Sequence, residues 1–511
     1  MIFSPETIAP GTAPLLGDSS GGIWTPIYSN ICTFPPEIFR EVMLNLIRNP
    51  NLNSNHLFRA DIALDCPFNS IVHVQCSVLP RIRHFEGFDL KTVMVRTLIP
   101  RNRLVDKPLD QTCNIYQQVK ESGEVVSLIV YLPHLSSASE VPFYHPTVQG
   151  IAFLHTSDPA RLQGTVSIHY LFFGSEPRSA KVERTALHLL QTLHKHGEGL
   201  AKGYVKRVQH DLIIPQATVQ NTYARLKATY ARGLIQAWVE STDPGKHVFE
   251  DLSIAAFLIE LWNQMYENKQ FPGFVDIGCG NGLLVHILLE EGYSGWGFDA
   301  RKRKSWSSWS SQAQERLKEL VLIPSIIQTA QKSTSTTDLT KNESLVTLST
   351  PSTAIDAADV PYKPQETHTT RTHNGIFPKG TFIVSNHADE LTPWTPILAN
   401  ISECPFMLIP CCSHALSGSR FRAPPPKDPG ASTSAYASLV VWVANLAREC
   451  GWEVEKEMLR IPSTRNAALI GRRRTISFDS VDVRDLVHKH GGASGWEENA
   501  MNLVKGAARG H

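Results

Sequence analysis

The sequence lacks the features that mark membrane and secreted proteins. None of its apolar runs approaches the roughly 20 residues needed to cross a bilayer, and its first residues show neither a basic segment nor an apolar core of signal length. Its nine cysteines form an odd, irregularly spaced set, which argues against a disulfide framework and for a reducing compartment. We therefore expect a soluble cytoplasmic protein with no membrane association.

The sequence also has almost no net charge. Its 49 Lys and Arg residues against 48 Asp and Glu residues give +1, so any nucleic-acid surface must come from local clusters. Hydrophobic residues make up 42% and charged residues 19%, a globular composition that excludes wholesale disorder. The 511 residues leave room for two or three domains of roughly 150 residues each.

The chain is organised around a glycine loop between two short apolar runs. Phe274–Ile277 has the length of a strand, alternating glycines follow it, and apolar residues from Leu283 then recur at helical spacing as far as Gly292. A second apolar run ends in Asp299. This order predicts the first half of a doubly wound sheet, with a ligand at the carboxyl ends of the strands.

The spacing of the glycines distinguishes two classes of ligand. A dinucleotide fingerprint needs a glycine where Leu283 stands, which disfavours an oxidoreductase. The pattern present, D-x-G-x-G-x-G, resembles the S-adenosylmethionine (AdoMet) loop of class I methyltransferases, and Asp299 is placed to bind both ribose hydroxyls. The alternative is a structural glycine turn in another α/β protein. The residues of this region predicted to bind the cofactor are Asp276, Gly278, Cys279, Gly280, Asn281, Gly282 and Asp299.

Polar side chains follow a later strand-like run at residues 381–384. Asn386, His387 and Asp389 come directly after it, and in a doubly wound sheet they would face the same pocket. We expect Asn386 to join the cofactor site and both His387 and Asp389 to act in catalysis. The alternative is a structural loop.

Cysteine and histidine residues gather farther along the chain without forming a recognisable metal motif. Cys404, Cys411, Cys412 and His414 lack the Cys-x₂₋₄-Cys spacing of common zinc sites. No metal is therefore predicted.

Basic residues gather at the predicted functional edge. Four consecutive cations follow Asp299 and precede Trp306 and Trp309, which would set phosphate contacts beside an aromatic stacking face. The alternative is a solvated charged surface. The residues predicted to contact RNA are Arg301, Lys302, Arg303, Lys304, Arg460 and Arg465.

Several blocks together resemble the tRNA (uracil-2′-O-)-methyltransferase family, which methylates the ribose of uridine 44 in serine tRNA. The resemblance implies AdoMet as methyl donor and tRNA, of the serine type, as acceptor. It is close over residues 220–475 and weaker over 24–215. The matching blocks are residues 242–262, 276–285, 297–306, 385–394, 410–412 and 456–466.

The resemblance also suggests a catalytic set. Other ribose methyltransferases use a Lys-Asp-Lys-Glu set, and Lys246, Asp389 and Lys456 fall in compatible chain order, with Glu457 as a candidate fourth member. We predict that Asp389 or His387 receives or orients the proton of the ribose hydroxyl, and that Lys456 or Lys246 stabilises the developing oxyanion.

The predicted fold is α/β: a class I methyltransferase, Rossmann-like with a doubly wound sheet, preceded by an N-terminal α+β domain. In that domain, alternating runs that include Ile71–Leu79 predict an antiparallel sheet covered by a helix at Lys181–Lys195. The predicted divisions are a flexible N-terminus at 1–30, an α+β candidate tRNA-binding domain at 31–215, a helical region at 216–265, the AdoMet-dependent methyltransferase domain at 266–475 with a disordered insertion at 331–375, and a peripheral C-terminal tail at 476–511.

Two other functions compete with ribose methylation. One is methylation of a base in RNA, and the other is a non-catalytic RNA-binding scaffold. The intact acid–glycine–acid pattern disfavours the scaffold. No obligate protein partner is evident from the sequence.

Overall fold

The computed structural model divides the chain into two units, Met1–Arg207 and Val208–His511. Among the described residues, no helix combines the length and the apolar character that crossing a bilayer requires. The described residues are 2–73, 78–103, 105–158, 163–174, 178–206, 208–327, 342–348, 368–427 and 432–505.

The N-terminal unit is built on one eight-stranded sheet. Its strands are β1 (Glu6–Thr7), β2 (Trp24–Cys32), β3 (Leu57–Pro67), β4 (Asp89–Pro100), β5 (Leu109–Val119), β6 (Val125–Pro133), β7 (Gly150–Asp158) and β8 (Gln163–Leu171). They lie in the order β1-β2-β8-β7-β6-β5-β4-β3, and all neighbours pair antiparallel. The predicted antiparallel sheet is confirmed.

Two helices pack on this sheet, α1 (Pro36–Arg48) and α2 (Ala180–Ala201). In α1 the buried residues Phe39, Val42 and Leu46 recur at helical spacing, so one face of the helix enters the same core as Ile129 and Phe153 of the sheet. Helix α2 contributes Val182, Ala186 and Leu190 to the same core, which confirms the predicted covering helix.

One strand prediction in this unit is wrong. The run Ile71–Leu79 overlaps a 3₁₀ helix at Phe68–His73, and residues 74–77 lie outside the described part of the chain. The apolar run is short, so its pattern could not distinguish a strand from a helical turn.

The predicted flexible N-terminus is also wrong in part. Strand β2 begins within it, at Trp24, which is fully buried and donates from its indole Nε1 to Asp18 Oδ2 at 2.9 Å. The strand pairs with β8, and this long-range partner is invisible in the local Pro/Gly/Ser-rich composition.

The C-terminal unit contains two sheets. Its strands are β9 (Phe274–Ile277), β10 (Gly295–Asp299), β11 (Leu317–Glu319), β12 (Val321–Leu322), β13 (Glu343–Leu348), β14 (His368–His373), β15 (Phe382–Asn386), β16 (Phe406–Ile409), β17 (Trp452–Met458) and β18 (Ala467–Arg474). The main sheet has the order β11-β10-β9-β15-β16-β18-β17; the first five strands run parallel and the last two pair antiparallel.

Helices cover both faces of the main sheet. They are α3 (Gln216–Gln236), α4 (Pro244–Met265), α5 (Leu283–Glu290), α6 (Ser311–Arg316), α7 (Thr395–Ile401), α8 (Ala435–Glu449), α9 (Val483–Lys489) and α10 (Trp496–Lys505). Phe274 and Val384 enter a core with α3, α4 and α5, whereas their neighbours Val275 and Ile383 enter a second core with α7 and α8. This alternation is that of strands buried on both faces.

The third strand of the main sheet differs from the sequence prediction. The sequence predicts Val321–Ile323, but Leu317–Glu319 pairs with β10, and β12 pairs instead with β14 in a small sheet of order β12-β14-β13. Both β13 and β14 lie within the insertion predicted to be disordered. Its abundant threonines are β-branched and suit strands, a signal that low hydrophobicity concealed.

The C-terminal residues differ from the predicted peripheral tail. Trp496 of α10 is 1% exposed, donates from its indole Nε1 to the carbonyl oxygen of Leu322 at 2.9 Å, and packs edge-on against Trp394. Strand β18, which the sequence analysis missed, joins β16 to β17. Both features depend on partners distant in sequence.

Glu457 anchors the segment that leads into α3. Its carboxylate is 3% exposed and accepts hydrogen bonds from the backbone amides of Asp211, Leu212 and Ile213 at 2.8, 2.7 and 2.9 Å. A buried anion is stable here because three N–H donors replace its water.

Replacing this carboxylate should destabilise the C-terminal unit. Glu457→Ala leaves three amides without their acceptor, so we expect the free energy of unfolding to fall by roughly 2–4 kcal/mol. Urea denaturation followed by tryptophan fluorescence measures the change. The matched control is Glu453→Ala on the same strand, whose exposed ion pair with Arg473 contributes about 1 kcal/mol or less. Equal effects of the two substitutions would refute the anchor.

Candidate functional site

A cavity of about 900 Å³ opens at the carboxyl ends of the central parallel strands. Loops after β9, β10, β15 and β16 line it, together with the start of α4. Its volume lies within the roughly 300–1,000 Å³ of small-molecule sites. The predicted cofactor residues that line it are Asp276, Gly278, Cys279, Gly280, Asn281, Asp299 and Asn386.

The glycine loop after β9 has a left-handed backbone at Gly280 and Gly282, with φ of +53° and +73°. A Cβ on Gly282 would lie 2.6 Å from Leu317 Cδ1, so packing excludes a side chain there. A Cβ on Gly280 would meet no described atom within 4 Å, so this backbone borders open space. Gly282 therefore shapes the loop and begins α5 without lining the cavity, whereas Gly280 faces it.

Two buried tryptophans support the loop from behind. Trp306 Nε1 donates to the carbonyl oxygen of Gly280 and Trp309 Nε1 to that of Asn281, both at 2.8 Å. The rings are 3% and 4% exposed. The prediction that they offer a stacking face for RNA is therefore wrong, because their apolar surface lies in the core.

Two aspartates flank the loop. Asp299 accepts hydrogen bonds from the backbone amides of Gly280 at 3.0 Å and Arg301 at 3.1 Å, which fix its carboxylate at the cavity. Asp276 is 2% exposed, and its Oδ1 has no hydrogen-bond partner among the described residues. Burial and the nearby charges of Asp251 and Asp299 raise the pKa of Asp276 well above its usual value.

Helix α4 contributes two acidic residues that the sequence analysis did not assign to the site. Asp251 Oδ1 accepts from Asn386 Nδ2 at 3.3 Å, and Glu250 Oε1 lies 3.0 Å from His387 Nε2. Burial and the charge of Glu250 raise the pKa of Asp251 to about 8. The available signal was an acidic pair inside a strongly apolar helix. Together with Asp276, these groups favour a positively charged ligand.

The loop after β15 turns sharply. His387 has φ of +53° and Asp389 has φ of +41°, both in the left-handed region. Asp389 Oδ1 accepts from Cys411 Sγ at 2.9 Å, and burial, with the charge of Asp389, raises the pKa of the Cys411 thiol. The parallel pairing of β15 with β16 creates this contact, which no sequence spacing indicates.

The structure separates the members of the predicted catalytic set. Lys246 lines the cavity with His387 and Asp389. Lys456 is exposed on β17 and is not part of the cavity lining, while Glu457 is bound to backbone amides. Lys456 and Glu457 therefore do not line the cavity that contains Asp389.

Four of the cations predicted to contact RNA follow β10. Arg301 and Arg303 line the cavity, whereas Lys302 and Lys304 are exposed outside it. The run therefore alternates between the pocket and solvent.

The remaining two cations have intramolecular partners. Arg460 forms a two-point ion pair with Asp211, with nitrogen–oxygen distances of 3.1 and 2.6 Å. Arg465 lines the cavity, donates to the carbonyl oxygen of Cys411 and lies 3.4 Å from Cys412 Sγ. Arg465 is therefore part of the pocket wall as well as a candidate RNA contact.

These residues fit the AdoMet that the glycine pattern predicts. The donor carries ammonium and sulfonium cations, and such charge would stabilise the buried Asp276 carboxylate, whose Oδ1 has no partner among the described residues and which lies near Asp251. The fixed carboxylate of Asp299 retains acceptor capacity for ribose hydroxyls.

Comparison with known proteins gives independent information. A family model described as a TRM44-like, N-terminal bet v1-like domain matches residues 5–207, and one described as a predicted AdoMet-dependent methyltransferase matches residues 213–324. The chain thus combines a bet v1-like domain with an AdoMet-dependent methyltransferase domain.

Full-length relatives share one name. A tRNA (uracil-O(2)-)-methyltransferase of Neurospora crassa is 50% identical over 515 residues, covering 98% of each chain. Proteins of the same name from Schizosaccharomyces pombe and Debaryomyces hansenii are 39% and 38% identical. Their matches cover 96% and 97% of this chain and 94% and 98% of the relatives.

Removing one indole donor should weaken AdoMet binding. Trp309→Phe keeps an aromatic ring but deletes the hydrogen bond to Asn281. The loop conformation that binds AdoMet should then be about 1 kcal/mol less stable, so the AdoMet Kd should rise roughly fivefold. Isothermal titration calorimetry measures it. Trp442→Phe, outside the cavity lining, is the control and should leave the Kd unchanged. Unchanged affinity in Trp309→Phe would show that the indole does not position the loop.

Proposed function

This chain belongs to the tRNA (uracil-O(2)-)-methyltransferase family, and on that premise we propose its function. It is an AdoMet-dependent enzyme that methylates the ribose 2′-oxygen of a uridine in tRNA. We propose further that the acceptor is uridine 44 of serine tRNA and that the protein acts in the cytoplasm. The observation that carries the proposal is the single cavity in which the glycine loop, the buried carboxylates and the loop after β15 meet.

We propose that the C-terminal unit is a class I, Rossmann-like methyltransferase domain. The order β11-β10-β9-β15-β16-β18-β17 supports this, with five parallel strands and helices on both faces. The chain order reverses between β9 and β15, and ligands of doubly wound sheets bind at such a point. The cavity opens there.

The cofactor would be held by charge and by backbone. Asp299 would accept both ribose hydroxyls, Gly280 would allow the ligand to approach the loop, and Asp276 with Asp251 would face the cationic groups. When bound, AdoMet supplies a methyl group on a positively charged sulfur.

His387 is our candidate for the proton acceptor. Its ring is oriented by Glu250, whose Oε1 lies 3.0 Å from Nε2, and a base held by a carboxylate suits removal of the ribose 2′-proton. AdoMet would supply the methyl group that passes from its sulfur to the ribose oxygen, and the imidazole of His387 would keep the proton. Asp389 would orient the hydroxyl, and Lys246 at the rim would stabilise the developing oxyanion.

RNA would approach across the cations beside the pocket. Lys302 and Lys304 are exposed and suit phosphate contacts. Arg301 and Arg303 line the cavity, so they would lie nearer the ribose. We retain Arg465 as a candidate contact at the wall and Arg460 as a peripheral one. The N-terminal unit remains a candidate tRNA-binding domain.

The proposal predicts a defined product. The full chain, incubated with labelled AdoMet and total tRNA, should yield 2′-O-methyluridine in a nuclease digest analysed by mass spectrometry, and fragment mapping should place it at uridine 44 of serine tRNA. His387→Gln should slow methyl transfer by about 10²–10⁴-fold, because general bases contribute that much, while leaving AdoMet binding intact.

The control for this substitution is His488→Gln, on the exposed side of α9, which should retain full activity. A methyl group on the base would establish a base methyltransferase instead. AdoMet binding without any transfer to tRNA would favour a scaffold, and full activity of His387→Gln would reject the assigned base.

AdoMet affinity should increase with pH. Without ligand, the pKa of Asp251 is about 8 because of burial and Glu250, with Asp276 also nearby, so below that pH the carboxyl is mostly protonated. A cationic ligand favours the ionised form, and binding must then release a proton. Between about pH 6.5 and about pH 8 the affinity should rise by no more than about tenfold per pH unit.

Titration calorimetry across this range tests the linkage, and buffers of different ionisation enthalpy report the released proton. Asp251→Asn cannot ionise, so its affinity should be weaker at high pH and its pH profile flatter. Asp485→Asn, at the start of α9, is the control and should keep the wild-type slope. A wild-type affinity independent of pH would contradict the proposed place of Asp251 beside the cationic donor.

A further inference from the structure

We propose that Asp389, Cys411 and Cys412 form a binding site for one divalent zinc-type metal ion at the wall of the cavity. The ligand atoms of these three residues, the Asp–Cys–Cys cluster, all lie within 4.8 Å of one another. All three residues line the cavity. The proposed function assigns neither cysteine a role.

Two adjacent parallel strands bring the cluster together. Asp389 follows β15 and the two cysteines follow β16, so both loops leave the same edge of the sheet. Cys411 Sγ lies 2.9 Å from Asp389 Oδ1. Around a tetrahedral zinc, with Zn–S near 2.3 Å and Zn–O near 2.0 Å, the two atoms would be about 3.5 Å apart. Small side-chain rotations would therefore open the cluster to the ion.

The donor atoms select the type of metal. Two sulfurs and one carboxylate oxygen suit a borderline-soft ion such as Zn²⁺, whereas Mg²⁺ and Ca²⁺ require oxygen ligands. The sequence alone indicated no metal because it offered adjacent cysteines without a second spaced pair. Asp389, which the fold adds from another strand, supplies the third ligand.

The surrounding charge also fits a bound ion. Zn²⁺ held by two thiolates and a carboxylate carries one net negative charge. The guanidinium of Arg465, 3.4 Å from Cys412 Sγ and bonded to the Cys411 carbonyl oxygen, supplies the matching positive charge. This arginine would thus act as an outer partner that orients the ligand loop.

A second observation concerns a buried polar atom on the same loop as the two cysteines. His414, from the same loop, lines the cavity and is 3% exposed, yet its Nδ1 has no hydrogen-bond partner among the described residues. A nearby metal-bound water would offer such a partner. With three protein ligands, one tetrahedral position is left for that water or for an oxygen of the substrate, as in catalytic rather than structural zinc sites. Only the substrate alternative rests on the proposed function.

Cobalt substitution tests the site directly. The full-length chain, stripped with a chelator and kept in a non-thiol reductant, is titrated with Co²⁺ and then with Zn²⁺. We expect one Co²⁺ per chain, thiolate-to-cobalt absorption with tetrahedral visible bands, and loss of these bands as Zn²⁺ displaces the cobalt.

Variants assign the ligands. Cys411→Ser and Cys412→Ser should each reduce the thiolate band, whereas Asp389→Asn should keep it with affinity lowered by at least roughly 10–100-fold. Cys450→Ala, a buried cysteine outside the cavity lining, is the matched control and should bind cobalt normally. Circular dichroism checks folding, and Zn²⁺ protection of Cys412 from alkylation provides a test in the unmodified chain.

The absence of a thiolate band in the wild type, or its persistence in both serine variants, would overturn the site. The cluster would then be a thiol–carboxylate hydrogen bond only. Methylation of tRNA is assayed on the same samples, which separates the two proposals. Full methylation without metal binding rejects the metal site alone, and metal binding without methylation rejects the proposed function alone.

Discussion

The parallel pairing of β9 with both β10 and β15 is the constraint on which the rest of the catalytic domain depends. Asp276 lies opposite Gly297 on one side and Val384 on the other, so three strands end at one edge. The loops that follow these strands are separated along the sequence, yet they line one cavity. Both sheet faces are buried under helices, and the polar groups therefore concentrate where the strands end.

The buried acids of the pocket differ in how far hydrogen-bond donors of the protein satisfy them. Asp299 is satisfied by backbone amides, whereas Asp251 has Asn386 and Asp276 retains an oxygen without a partner. Burial raises the pKa of both Asp251 and Asp276; the charge of Glu250 adds to the effect at Asp251, and the charges of Asp251 and Asp299 add to it at Asp276. The unliganded pocket therefore holds protons that a cation would displace. This incomplete satisfaction suits a positively charged ligand, such as the donor in the proposed function.

The sequence predicted correctly those elements whose structure depends on residues close to them in the chain. The predicted strand Phe274–Ile277 is β9, the run predicted to end in Asp299 is β10, and the three glycines of the loop have positive φ. What could not be predicted depends on long-range contacts. From the sequence, the aromatic pair after β10 predicts a stacking surface. In the structure, its N–H groups donate to the carbonyl oxygens of Gly280 and Asn281. Likewise Lys456 and Glu457 are adjacent, but strand alternation sends their side chains to opposite sides.

The turn after β15 distributes its side chains among different partners. Ala388 packs where a Cβ on Gly278 would come within 3.0 Å of its own, so the glycine loop and this turn fit closely. On either side, His387 and Asp389 adopt left-handed backbone conformations that cost of order 1–3 kcal/mol each. In this conformation His387 contacts Glu250 on α4, and Asp389 contacts Cys411 after β16. A single strained turn therefore directs two neighbouring polar side chains to different elements, His387 to α4 and Asp389 to the loop after β16.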